Sequence, residues 1–231
     1  GPVQEYEFLI SPARQRFVER MAPLFSEMDR RVQTLFLIHF CAQGVSMTEP
    51  VADWIRRAGD MTRRKGFEEL GRALGKHAAH EDGHHRMMIA DTYSLVAWWN
   101  AANTPELAAD SFLQMPNSAG VQRYRQLHED CIAGQTPYGQ IAIEYEIEKV
   151  SVDWGPKLFS FLIQKLGVEV LKCLSFIQDH MVIDVGHTQY NQRAMSRFLE
   201  QTPEAMDALV QNGSDALDCY AAYIEDCMRL A

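Results

Sequence analysis

The chain reads as an all-α protein, and three observations predict it. Apolar residues recur at spacings of three and four along nearly the whole length, the pattern of helices that bury one face. Serine, threonine, proline and glycine stand where such segments begin and end. No stretch alternates apolar and polar residues between hairpin-type turns, so strands are expected to be absent. With 231 residues, 47% of them hydrophobic, there is material for one large core.

Each helix has its own signal. Residues 11–25 start from Ser11 as N-cap with Pro12 at the first helical position. The segment 26–44 carries apolar residues at helical spacing and is expected to stop near Gly44. Residues 48–64 restart from Thr48 with Pro50 in the first turn. The stretch 66–100 is long, with a bend expected at a glycine. Residues 104–115 and 118–134 are shorter helices separated by Pro116-Asn117-Ser118. Residues 138–154 and 155–167 form a pair broken at Gly155-Pro156. Residues 168–201 form the second long helix, and 202–230 close the chain. Nothing resembles a linker, so 3–231 is taken as one domain. Gly1-Pro2 has the look of a tag-cleavage scar and is set aside.

Totals exclude several function classes. Acids outnumber bases 31 to 22, a formal charge of −9, which argues against nucleic acid or an anionic membrane as partner. No apolar run approaches the roughly 20 residues of a membrane span, and the start is not signal-like. The five cysteines (Cys41, Cys131, Cys173, Cys219, Cys227) are scattered, odd in number and never in CxxC, as in a reduced, cytoplasmic protein. The expected partners are a small-molecule substrate and, in a homodimer, a second copy.

Two segments carry the chemistry. "HAAHEDGHH", residues 77–85, holds four of the eight histidines, and "HMVIDVGH", 180–187, repeats its spacing: His, three residues, acid, one residue, Gly, His. On a helix, residues offset by 0, 4 and 7 fall within about 60° of each other. His77, Glu81 and His84 therefore share a face, as do His180, Asp184 and His187. Carboxylate with imidazole and no thiolate suits iron or manganese better than a structural zinc site. An inward Glu and His three apart is the unit that helical di-iron proteins use.

The first segment alone leaves other readings open. "HEDGH" also matches H-E-x-x-H, with His80 and His84 on zinc and Glu81 as general base. The usual downstream extension fails there, since Met87 and Ala90 stand in place of its glycine and third histidine. A solvated polar face is the plainer option. The second segment weighs against it, because three ligand-type residues on one stripe of a hydrophobic helix are costly to bury unless something satisfies them together. Two metals also need a further carboxylate. Glu144 and Glu148, one turn apart on a face with Ile141, Tyr145 and Val152, are the candidates, and periodicity does not separate them.

The order E-x2-H, a lone Glu, then H-x3-D-x2-H about 32 residues later resembles the heme-oxygenase-like di-iron oxidases and oxygenases. These share a helical bundle with heme oxygenase and the thiaminase TenA. The resemblance covers roughly residues 30–200, and "HMVIDVGH" is its strongest part. "HEDGHH" followed by "IAD" is similar to a segment of the fatty-acid decarboxylase branch, and "EKVSVDWGP" looks like the central Glu segment, which favours Glu148 over Glu144. The resemblance implies a single TenA-like bundle of seven or more helices. Its implied metal ligands are Glu81, His84, Glu148, His180, Asp184 and His187, with Glu81 and Asp184 central to catalysis and His77 outside the ligands, orienting Glu81. It further implies two irons per chain and O2 as co-substrate. Through a peroxo-diferric species, these would oxygenate or oxidatively cleave a small amino-acid- or fatty-acid-like substrate. A zinc hydrolase and a non-catalytic ferritin-like metal-binding bundle are the alternatives.

Overall fold

Helices are set by which residues must be buried, and the first of them shows this. In the computed structural model, which describes residues 1–26 and 29–231, α1 runs from Pro2 to Met21. It starts nine residues before the expected Ser11 cap and includes Pro2, which had been set aside. The reason is a single apolar stripe of Tyr6, Ile10, Ala13, Phe17 and Met21, all buried at helical spacing. Pro12 sits inside the helix and cannot donate to Phe8; the Ser11 hydroxyl donates to the Phe8 carbonyl instead (2.7 Å). Arg14 and Tyr6 then tie α1 to the buried Glu146 carboxylate, through Nε at 2.8 Å, Nη2 at 2.9 Å and the phenol at 2.8 Å.

Nine further α-helices follow among the described residues: α2 (Arg30–Thr48), α3 (Val51–Arg64), α4 (Glu68–Glu81), α5 (His85–Ala102), α6 (Ala109–Leu113), α7 (Ala119–Ala133), α8 (Gln140–Leu166), α9 (Ser175–Gln201) and α10 (Met206–Leu230). No strand occurs among the described residues. Asp29 caps α2 by accepting from the Arg31 and Val32 amides. The expected start of this helix at 26 falls partly on residues 27 and 28, outside the described ones. Gly44 does not end α2. It is a close-approach position, where a Cβ would meet Met88 Cε at 2.8 Å and the Tyr223 hydroxyl at 2.9 Å.

Three other boundaries differ from the sequence reading. α8 runs through Gly155-Pro156 without a break. Pro156 is exposed, so the carbonyl it leaves unpaired lies towards water, and Gly155 holds α8 against Met181 with no room for a Cβ (2.5 Å to Met181 Cγ). α9 begins at Ser175, preceded by a short 3-10 turn over Val168–Cys173. The Asp91 carboxylate fixes that start, accepting from the Ser175 amide (3.0 Å), the Ser175 hydroxyl (2.6 Å) and the Phe176 amide (2.8 Å). Finally, the helix expected over 104–115 contracts to the five residues of α6.

α3 against α4, α8 against α9, α2 against α5 and α7 against α10 make up the bundle. α10 packs on α1, α2, α7 and α8 and so forms its spine. All five cysteines are buried and unpaired. No helix among the described residues is long and apolar enough to cross a membrane. The consequence for function is that α4, α8 and α9 meet in the interior, each bringing acids or histidines.

Candidate metal centre

The two histidine segments reach the interior by different means. α9 is continuous, so His180, Asp184 and His187 lie on one face as helix arithmetic requires. The expected long helix over 66–100 instead ends at Glu81. Asp82, Gly83 and His84 form a turn, Gly83 takes φ +81°, and α5 starts with His84 as its N-cap. His84 is therefore aimed by a glycine turn, yet its Nδ1 still lies 3.3 Å from Glu81 Oε2. His80 is exposed and is not among the candidate ligand atoms, its ring stacking on the outer side of the site against His187 (centroids 6.2 Å apart). That removes one of the two histidines of the H-E-x-x-H reading.

Candidate ligand atoms collect in two groups, each within 4.8 Å. One comprises His77, Glu81, Glu148 and His187; the other comprises Glu81, His84 and His180. Glu81 belongs to both. Asp184 lies beside the first group, 2% exposed, with Oδ1 3.3 Å from His187 Nδ1. Glu148 is in the first group. Glu144, one turn earlier, is outside both, and its carboxylate accepts from Gln140 Nε2 at 2.8 Å.

His77 contacts Glu81, as expected of a residue that orients it, and also reaches Glu148. Its Nε2 stands 3.1 Å from Glu81 Oε1 and 2.9 Å from Glu148 Oε1, inside the group. Asn191 lies behind it, with Oδ1 3.1 Å from His77 Nδ1, while Asn191 Nδ2 donates to Glu148 Oε2 at 3.0 Å. Asn191 was missed by sequence reasoning. It sits one turn beyond His187 on the same face of α9, which is the signal that could have found it.

Electrostatics shows what the cluster lacks. Burial works against the His77 imidazolium, yet the Glu148 and Glu81 carboxylates push its pKa up to about 11. Asp184 and then Glu81 raise His187 to about 10. Burial alone would raise Glu81, but His187, His77 and His84 hold it well below the usual carboxylate range. Burial lifts Glu148 to about 7 and Glu144, further repelled by Glu148, to about 8. The carboxylates thus demand positive charge at their centre, and protons on imidazoles supply it here.

The donor set fits a metal on a separate observation. His84 Nδ1, His187 Nδ1, Glu148 Oε1 and Asp184 Oδ1 are buried and have no hydrogen-bond partner of acceptable geometry, although they lie 2.9 to 3.3 Å from other site atoms. Short approach without hydrogen-bond alignment is what lone pairs aimed at a shared centre produce. His180 is oriented for the same purpose. Its Nδ1 lies 2.9 Å from the Phe176 carbonyl and acts as the donor there, leaving Nε2 as the lone-pair nitrogen.

The centre opens on an interior cavity of about 80 Å³ whose wall includes Glu81, His84, Glu144, Glu148, His180 and Asp184. Met88 and Phe176 also line it. Tyr145 turns to Glu7 (2.7 Å), Tyr93 is half exposed against Asp110, and Met181 packs on Gly155. Tyr190 and Arg193 line a separate outer groove between α4 and α9. Arg193 is therefore not placed to meet a substrate at the centre.

No protein-family model and no curated protein matches the chain. Solved structures do match its fold, two of them as follows. A domain of unknown function with a heme oxygenase-like fold from Shewanella denitrificans OS217 superposes with a TM-score of 0.67 at 15% identity, covering 98% of this chain and 90% of the other. A CADD-like protein of unknown function from Nostoc punctiforme PCC 73102 gives 0.63 at 13% identity, covering 98% of each. The fold is thus heme oxygenase-like and all-α, as the resemblance implied.

Proposed function

We propose that the chain is an O2-dependent non-heme di-iron oxidase or oxygenase acting on a small organic substrate. The observation that carries this reading is Glu81, common to two groups of buried nitrogen and oxygen ligand atoms. A carboxylate between two neighbouring sites is suited to bridge two metals, and the oxygen-and-imidazole donor set suits iron. His77, Glu81, Glu148 and His187 would hold one ion. Glu81, His84 and His180 would hold the other, with Asp184 beside His187 as a further ligand.

When bound, the irons would supply the electrons and open coordination positions for O2 chemistry. The protein's own part is to position and to insulate. Phe176 fixes the His180 tautomer through its carbonyl and stacks on the ring (centroids 3.9 Å apart). Asn191 holds Glu148 and His77 in register. Met88, Tyr124, Tyr220 and Tyr223 on the cavity wall exclude bulk water from the reacting atoms.

The test is a stopped-flow optical scan of protein loaded anaerobically with Fe(II) and mixed with O2. A transient visible band that decays faster with substrate is expected. One tightly bound zinc, with no response to Fe(II) and O2, would return the balance to a hydrolase.

A further inference from the structure

Different helices assemble the two groups of ligand atoms. His77, Glu81, Glu148 and His187 come from α4, α8 and α9, whereas His84 enters the second group from the start of α5 and meets His180 of α9 there. The two imidazoles stand edge to face, with ring centroids 5.0 Å apart. α5 and α9 are remote in the chain, so a contact between them must set that separation. Asp91 makes such a contact. It is the acid of the "IAD" that follows "HEDGHH", it is buried, and it belongs to neither group. On α5 it lies seven residues beyond His84, two turns along the same face. Its Oδ1 accepts from the Ser175 amide (3.0 Å) and hydroxyl (2.6 Å), and its Oδ2 from the Phe176 amide (2.8 Å). α9 has no side-chain cap of its own, because Leu174 stands at the N-cap position, so Asp91 caps it from another helix. Phe176 carries the constraint onward. Its carbonyl accepts from His180 Nδ1 (2.9 Å), and its ring stacks on that imidazole at 3.9 Å.

Resting on the di-iron reading above, we propose that Asp91 is a positioning residue for the second metal position alone. By holding the first turn of α9 to α5, it fixes both the tautomer of His180 and the separation of His180 from His84. The first group is drawn together by α4, α8 and α9 and does not use this joint.

Asp91→Asn tests this. It keeps the size of the side chain, removes the charge that faces the α9 N-terminus, and accepts through one atom only, so the Ser175 and Phe176 bonds cannot all survive. In metal-free protein, nitrogen NMR of the histidine rings should show native His180 protonated at Nδ1 and the variant shifted towards a mixture of tautomers. In anaerobic Fe(II) titration the second iron should bind about 10–100-fold more weakly, as on loss of a partner that orients a ligand, with the first unchanged. Equal weakening of both irons, or a lower melting temperature with His180 and the second iron unmoved, is what a merely structural part gives, and either overturns the proposal. Should Asp91→Asn fail to fold, Ser175→Ala, which removes the hydroxyl bond alone, must give the same selective loss to a smaller degree; an unselective loss, or none, overturns it. The tautomer is read without metal, which separates the two readings. A native chain that binds no second iron while Asp91→Asn still shifts His180 sinks the di-iron reading and leaves the Asp91–Phe176–His180 coupling standing. Two irons that are both indifferent to Asp91→Asn do the reverse.

Discussion

The α4–α5 segment and α9 carry the same spacing of His, acid, Gly and His, and fold differently. In α9 the glycine, Gly186, lies inside a continuous helix, and a Cβ there would meet nothing within 4 Å. In the first segment Gly83 takes φ +81° and ends the helix regularity. Identical spacing thus delivers ligands by helix periodicity in one place and by a turn in the other. Each helix is packed along a neighbour of its own, α9 on α8 and α4 on α3, and α4 touches α9 only over a short stretch. What the two share is the destination, and Glu81 is where they join.

The largest effect should come from breaking that junction. Glu81→Ala removes a carboxylate common to both groups, so iron content should fall from two per chain towards zero. His180→Ala, which touches one group, should leave one iron and an intact helix, because alanine is the best helix former. Metal analysis after anaerobic loading reads both. Equal losses in the two variants would mean that Glu81 is not shared.

Next in size is the choice on α8. Glu148→Ala should lower iron towards one per chain and suppress the oxygenated band, while Glu144→Ala should keep both irons. The reverse pattern in iron titrations would assign the ligand one turn earlier.

Metal affinity should also depend on pH. His77 and His187, raised to about 11 and 10 by their carboxylates, carry protons at pH 7 in the metal-free protein. A metal must displace those protons, so affinity rises with pH and weakens in acid, by up to about tenfold per unit for each proton released. Calorimetry in buffers of different ionisation enthalpy counts the protons. No release would place both imidazoles outside the metal's reach.

The smallest effects sharpen the contrast between the glycines. Gly83→Ala forces an L-residue into the left-handed region and should destabilise the metal-free protein by about 1–2 kcal/mol. Gly186→Ala fills open space in a helix interior and should stabilise it by roughly 0.5–1 kcal/mol. Thermal melts of the two variants should therefore shift in opposite directions. Shifts of the same sign would remove the distinction drawn between the two segments.

Legibility in the sequence followed the same division. Glu148 was favoured over Glu144 by the family resemblance and not by periodicity, whereas the all-α class and the α9 stripe of His180, Asp184 and His187 were readable because side-chain direction on a helix follows from spacing. The turn at 82–84 was not, since a glycine in a helical pattern can stay helical, as Gly186 does, or turn, as Gly83 does. Pro12 and Pro156 misled for a related reason: each removes one hydrogen bond, and burial of the stripe around it outweighs that loss. The contact of His77 with Glu148 could not be read, because it depends on how α4 meets α8, which no local pattern contains. Asn191 carries no charge and no metal-ligand signature, so only its position behind His77 reveals its part.

The central claim is that two metal positions share one carboxylate, and anaerobic Fe(II) titration of the native chain tests it most directly. The account predicts a break at two irons per chain, with the second lost in His180→Ala and both lost in Glu81→Ala. A break at one iron in the native protein, unchanged by His180→Ala, would contradict it.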